Sequence, residues 1–177
     1  FFEQKPGASF PSGWRSDRTY WACEDAWAGI ECIDVGSNAR LAALELENFA
    51  FGGTIPSFIN VATYLDTLTL SGLGLIGTIP SVISTLPLIY LDLQSNQLNG
   101  SVPSGLWSKS LTTLNLERNE LTGDLPNFPS ATVTWVQLIL SANHFSGTIS
   151  STIANLQSVS VLAFDSNNHF SGTISST

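Results

Sequence analysis

The sequence predicts an α/β solenoid with one parallel strand per coil and short 3₁₀ or helical turns between strands, and three observations predict it. A pattern LxxLxLxxNxLxGxIP recurs about every 23–25 residues from Leu41 onward, the mark of a coil stacked on copies of itself. Glycine and proline fall at fixed places in that pattern, where a chain must turn. The 177 residues are 43% hydrophobic, which supplies a core for one domain.

The coils read in order. The first runs Leu41, Leu44, Leu46, Phe49, Phe51, Gly53, Ile55, Pro56, and the second Leu65, Leu68, Leu70, Leu73, Leu75, Gly77, Ile79, Pro80. Both place an apolar residue where asparagine is usual. The third, from Leu88, gives Leu91, Leu93, Asn96, Leu98, Gly100, Val102, Pro103, and the fourth, from Leu111, gives Leu114, Leu116, Asn119, Leu121, Gly123, Leu125, Pro126. The fifth has Trp135, Leu138, Leu140, Asn143, Phe145, Gly147 and Ile149, with Ser150 at the proline position. The sixth begins at Val159, Leu162 and Phe164 and carries one extra residue before Asn168, Phe170, Gly172 and Ile174.

In each coil LxxLxL is a short strand whose leucines point inward, and only a neighbouring coil can complete their burial. Strands about 4.8 Å apart bring the Asn96, Asn119 and Asn143 column into register, where the side chains can satisfy backbone groups at the bend. Proline fixes φ and ends the strand, so segments such as 81–85 read as short 3₁₀ or helical turns.

Charge and composition exclude some functions. Charged residues are 11%, against about 25% in a typical domain, which points to a surface covered by glycan, a partner or another copy. Net charge is −8, and beyond Arg40 only Lys109 and Arg118 oppose eight acids, so nucleic acid is excluded as a partner. Without methionine or a run of some 18 apolar residues, the expectation is a chain with no membrane span whose signal segment has been removed. Cys23 and Cys32 lie close in a Trp-rich stretch and fit a local disulfide, the preferred reading, or two buried thiols. Asn99-Gly100-Ser101 is a glycosylation sequon.

GxIPxxI after NxLxG resembles the plant-specific leucine-rich-repeat class of receptor-kinase ectodomains and polygalacturonase-inhibiting proteins, over residues 41–177. Upstream, Trp21, Cys23, Trp27, Gly29, Ile30 and Cys32 resemble that class's amino-terminal cap, with CxWxGVxC stretched to CxxxWxGIxC. The resemblance implies a right-handed superhelix with its turns on the convex side and a cap over residues 1–40 tied by a Cys23–Cys32 disulfide. About six repeats follow, the last incomplete. An extracellular location is implied as well.

Constellations that could carry chemistry are better explained by the repeat. Gly72 to Gly77 matches GxGxxG, but Thr78-Ile79-Pro80 opens no helix to hold a pyrophosphate, so no cofactor is expected. His144 and His169 sit in the identical segment HFSGTISST at 144–152 and 169–177 and mark a duplicated coil rather than a base. Glu24, Asp25, Glu31 and Asp34 fit no calcium-loop spacing, and no metal site is expected. An enzyme is not expected.

Recognition is the stronger reading, because a ribbon of parallel strands exposes alternate side chains in columns. The central exposed column is Glu45, Thr69, Asp92, Asn115 and Ile139, flanked by Ala43, Thr67, Tyr90, Thr113, Gln137 and by Glu47, Ser71, Gln94, Glu117, Ser141. Thr69, Tyr90, Asp92, Gln94, Asn115, Glu117 and Arg118 are the candidate contacts for a protein, peptide or glycan ligand. A second column, Thr54, Thr78, Ser101, Asp124, Thr148 and Thr173, suggests an ice-binding alternative, although Asp124 breaks it. Low charge and the duplicated segment suggest a further alternative, a structural subunit that self-associates laterally or end to end in a wall or fibre.

Overall fold

The structure is a computed structural model and describes residues 29–35, 38–108, 111–128, 135–156, 158–166 and 168–172. Its spine is a seven-stranded sheet in the order β1-β2-β3-β5-β7-β9-β11. These strands are β1 (Ile30–Val35), β2 (Asn38–Glu47), β3 (Thr67–Ser71), β5 (Tyr90–Asp92), β7 (Thr113–Asn115), β9 (Gln137–Ile139) and β11 (Val161–Ala163). From β2 onward the strands are parallel, and the register aligns Leu44, Leu68, Leu91, Leu114, Leu138 and Leu162. Five of these six leucines are at most 4% exposed; Leu162, on the last strand, is 44% exposed because its strand has a neighbour on one side only among the described residues. Each buried leucine contributes roughly 1.5–3 kcal/mol that a single coil would forgo.

Strand β1 differs in running antiparallel to β2, with Ile30 opposite Leu44. It lies on the sheet edge before the first coil, and Gly29 fixes its approach. Gly29 has φ +81°, its carbonyl accepts from the Glu45 N–H at 2.6 Å, and an added Cβ would lie 1.9 Å from the Glu45 carbonyl oxygen. Only glycine fits there. Cys32 is half-buried on β1, while Cys23, Trp21 and Trp27 lie outside the described residues.

The sequence predicts one strand per coil, and the structure adds a second. Strands β4 (Ile76–Thr78), β6 (Gln97–Ser101), β8 (Glu120–Asp124) and β10 (His144–Ser146) form a parallel four-stranded sheet along another side of the coils. The cause lies in the xLxGx segment, where buried Leu98, Leu121 and Phe145 alternate with exposed neighbours in a period of two. Its glycines serve packing as well as φ. A Cβ on Gly100 would come within 3.1 Å of the Thr78 methyl of the preceding coil, and one on Gly77 within 3.3 Å of the Thr54 methyl.

The 3₁₀ turns Ser57–Val61, Ser81–Thr85, Ser104–Ser108 and Ser151–Asn155 close the coils. The first three follow Pro56, Pro80 and Pro103. The fourth follows Ser150, whose hydroxyl accepts from the Thr152 N–H at 3.3 Å and so caps where proline is missing. Inside, Ile59, Ile83 and Leu106 join the strand leucines in one continuous core, which the fifth coil fills with Trp135 and Phe145. No helix among the described residues is long and apolar enough to cross a membrane.

Candidate ligand-binding ribbon

The outward side chains of the seven-stranded sheet form three columns, and they do not share one environment. Along the middle column Glu45 is exposed, but Thr69 and Asp92 are 4% exposed and Asn115 is 8% exposed. This corrects the expectation that Thr69, Asp92 and Asn115 present themselves to a ligand. Short side chains on strands about 4.8 Å apart stand shoulder to shoulder, and the Gln94 amide folds back onto Asp92. Thr113, in a flanking column, is buried for the same reason.

The buried polar groups are satisfied locally. The Asp92 carboxylate accepts from the Gln94 backbone N–H at 2.9 Å, the Gln94 amide at 3.1 Å and the Asn115 amide at 3.1 Å. The Asn115 carbonyl accepts in turn from the Glu117 N–H at 3.1 Å. These two residues therefore shape the end of the strand rather than wait for a ligand. Burial holds the Asp92 carboxyl above the usual carboxylate range, partly offset by those hydrogen bonds.

What the ribbon offers to solvent is an acidic border around an aromatic centre. Tyr90 is half-buried, and its phenol is pushed above the usual range first by burial and then by the charges of Asp92, Glu47 and Glu45. One ring thus lies in the field of three acids from two coils. Gln94 and Glu117 are half-buried and Arg118 is exposed; the Arg118 guanidinium lies 3.5 Å from the Glu117 carboxylate, so this cation is already engaged. Farther along, the Ser141 hydroxyl donates to Asp165, and this bond holds the Asp165 carboxyl below the usual range.

Sequence reasoning missed the apolar edge of this face. Asp66, Ile89, Thr112 and Val136 precede the strands in successive coils, and Ile89 and Val136 are 48% and 41% exposed. Their position is set by the backbone: the Ile89 carbonyl accepts from both the Thr112 and Thr113 N–H groups, and each neighbouring coil repeats this fork. The available signal was the residue just before each LxL strand, a place where Ile and Val have no inward role.

The asparagine column is structural. Asn96 accepts from the Leu73 and Leu75 N–H groups at 3.1 and 3.0 Å and donates to the Leu70 and Leu93 carbonyls at 2.7 and 3.0 Å. Asn119 and Asn143 repeat the arrangement one coil on, accepting from Leu98 and Leu121. Asn168 extends it, accepting from Phe145 at 3.0 Å and reaching back to Leu140 and to Phe164, four residues earlier instead of three. The extra residue of the sixth coil is absorbed there.

Along this side of the coils Thr54, Thr78 and Thr148 are exposed, with Ser101 and Asp124 between them; Thr173 lies outside the described residues. Their methyl groups lean on the glycines of the next coil, and Asp124 accepts from the Ser146 hydroxyl at 3.1 Å. Asn99 is exposed on β6, in register with Thr78 and Glu120. Gly72–Gly77 is the turn into β4 and is followed by Pro80 and a five-residue 3₁₀ turn.

The Leucine Rich Repeat family model matches residues 87–108 and 110–131. A chain of the BIR3–SERK2 complex from Arabidopsis thaliana is 35% identical over 82% of this chain and 77% of its own, with TM-score 0.70. The LRR ectodomain of the receptor kinase GASSHO1/SCHENGEN3 from Arabidopsis thaliana, solved with CASPARIAN STRIP INTEGRITY FACTOR 2, is 33% identical over 89% of this chain and 18% of its own, with TM-score 0.78. A plant ice-binding protein is 26% identical over 90% of this chain and 66% of its own, with TM-score 0.67. The chain spans 18–20% of the length of the ligand-bound receptor ectodomains it resembles. No curated protein matches it.

Proposed function

The chain belongs to the plant-type leucine-rich-repeat ectodomains, and from that premise we propose that it is an extracellular interaction module whose ribbon takes a peptide or protein ligand carrying positive charge. The observation that carries this reading is the setting of Tyr90, half-buried and in the field of Asp92, Glu47 and Glu45, with Arg118 turned to Glu117. A lysine or arginine laid over that ring gains both the acid field and the aromatic face. Ile89 and Val136 add an apolar edge to grip the rest of the ligand. The similar plant peptide hormone receptor RGFR1 was solved in complex with RGF2, and the GASSHO1/SCHENGEN3 ectodomain with CASPARIAN STRIP INTEGRITY FACTOR 2, which supports the ligand class without naming the partner. A cell-surface or secreted location, a Cys23–Cys32 disulfide and a glycan on Asn99 belong to the same reading, and intact mass before and after reduction and deglycosylation tests the last two.

The binding test uses labelled peptides that alternate leucine with either lysine or glutamate. Fluorescence anisotropy is expected to show binding of the lysine peptide alone, weakening as salt screens the face. The Glu45→Gln/Glu47→Gln pair should weaken it by about tenfold, the effect of losing roughly 1.4 kcal/mol. Equal binding of both peptides, or indifference to the paired substitution, removes the reading.

The likeness to an ice-binding protein over 90% of this chain favours one second reading, ice recognition by the Thr54, Thr78 and Thr148 face. Recrystallisation inhibition that is lost in Thr78→Tyr would establish it, and unimpeded ice growth would dispose of it.

A further inference from the structure

The second sheet brings together two imidazoles that the ribbon does not use. The segment HFSGTISST occurs at 144–152 and again at 169–177, so the same side chain is set at the same place in the fifth and sixth coils. His144 opens β10, and the His169 N–H donates to the carbonyl of Phe145 at 2.6 Å, which locks the two backbones side by side. The parallel pairing continues through Ser171, whose N–H donates to Gly147 at 2.9 Å. Both rings are exposed, and their centroids are 6.0 Å apart with planes inclined by 37°. Coils three and four carry Gln97 and Glu120 at this position, so the imidazole pair is a property of this end of the sheet.

We propose that His144 and His169 together bind a divalent transition-metal ion of the zinc, copper and nickel class, which clips the fifth coil to the sixth. Imidazole selects these ions over magnesium and calcium, which prefer oxygen. An ion bonded about 2.0–2.1 Å from one nitrogen of each ring holds the centroids roughly 5–6 Å apart, and the observed separation needs only a small rotation of exposed rings. No set of three His, Cys, Asp or Glu side chains gathers among the described residues, so water completes the coordination shell. The nearest carboxylates along this sheet are Glu120 and Asp124, and Asp124 already accepts from the Ser146 hydroxyl. They add a favourable field for a cation. The clip joins a coil whose Trp135, Leu138 and Phe145 are fully buried to the coil whose Leu162 is the most exposed leucine of the inward ladder, so metal should stabilise that coil.

Titration calorimetry of the chain without a polyhistidine tag, with zinc chloride at neutral pH, tests this. One ion per chain is expected, together with a rise in the unfolding temperature. His144→Gln and His169→Gln should each weaken binding by about tenfold or more and abolish that rise, because a single imidazole leaves a monodentate site. Both positions are exposed, and circular dichroism checks that the variants fold. Glu31→Gln, on β1 at the far edge of the other sheet, should bind zinc as the natural chain does. Undiminished binding in either histidine variant, or no binding at about 1 mM zinc, overturns the assignment.

Discussion

Coils one and two carry Phe49 and Leu73 where coils three to six carry Asn96, Asn119, Asn143 and Asn168, and the two groups close the same bend by different means. In the later coils a carboxamide oxygen accepts from the N–H two residues beyond the preceding coil's own asparagine position, as Asn119 does from Leu98 at 3.0 Å. In the first coil the equivalent donor, the Phe51 N–H, finds the carbonyls of Phe49 at 2.8 Å and Leu73 at 3.1 Å. Backbone replaces side chain, and Leu73 is wholly buried where an amide would otherwise sit. The bend therefore needs an acceptor at that point rather than asparagine as such, but once an asparagine is built in, its amide becomes a tie between coils.

That difference predicts an asymmetry, and it is the largest effect expected. Asn119→Leu strands the buried Leu98 N–H and takes one of two donors from each of the Leu93 and Leu116 carbonyls, which keep Asn96 and Asn143. At about 1–3 kcal/mol for the unsatisfied N–H and about 0.5–1.5 kcal/mol for each carbonyl bond lost, the loss should reach about 3 kcal/mol. Leu73→Asn surrenders buried apolar surface worth roughly 1.5–3 kcal/mol but can recover part of it by hydrogen bonding, so its cost should be no more than about half as great. Urea unfolding of both variants makes the comparison. Equal losses would mean that packing, not hydrogen bonding, governs this position.

The same residues show what was legible in the sequence. The leucine ladder, the turns after proline and the asparagine column follow from period and residue type, because each inward position is decided by apolar burial that only stacking can complete. The second sheet was not legible as a strand, since the segment xLxGx is too short for a period of two to stand out beside the longer repeat. The middle column of the ribbon was misjudged for a related reason. Alternation places Thr69, Asp92 and Asn115 outward, but whether an outward side chain is accessible depends on the bulk of its neighbours two residues along and one coil over, which alternation alone does not weigh. The pairing of His144 with His169 was visible only as a duplication.

Asp92 sharpens the contrast on the ribbon itself, with a smaller effect. Its carboxyl is raised above the ordinary value of 3.8, chiefly by burial, so the folded state holds the proton more tightly than the unfolded chain. The associated stability is fully present below the ordinary value and is lost as pH rises through the folded one. Asp92→Asn, which keeps the shape but removes the titration, should flatten the stability profile in that window. Asp165, lowered by the Ser141 bond, has the opposite sign, and its variant should change the profile below the ordinary carboxylate value. A profile unchanged in Asp92→Asn would show that Gln94 and Asn115 fully compensate for burial.

The smallest effect concerns the residue at the turn before each column asparagine. Ser95, Arg118 and Ala142, directly before it, and Ser166, two residues before Asn168, have φ between 55° and 57°, whereas the second coil uses Gly72 at 64°. This left-handed conformation costs a residue with a Cβ roughly 1–2 kcal/mol, while glycine takes it freely but loses more entropy on folding. Arg118→Gly should therefore stabilise the fourth coil by only a few tenths of a kcal/mol up to about 1 kcal/mol, since its exposed contact with Glu117 is worth little. The substitution also removes a cation beside the acidic face, so the lysine peptide should bind the variant more tightly even as the unfolding midpoint rises. Tighter binding without added stability would mean that the backbone at Arg118 is unstrained. Added stability with weaker binding would instead place the guanidinium in contact with the ligand.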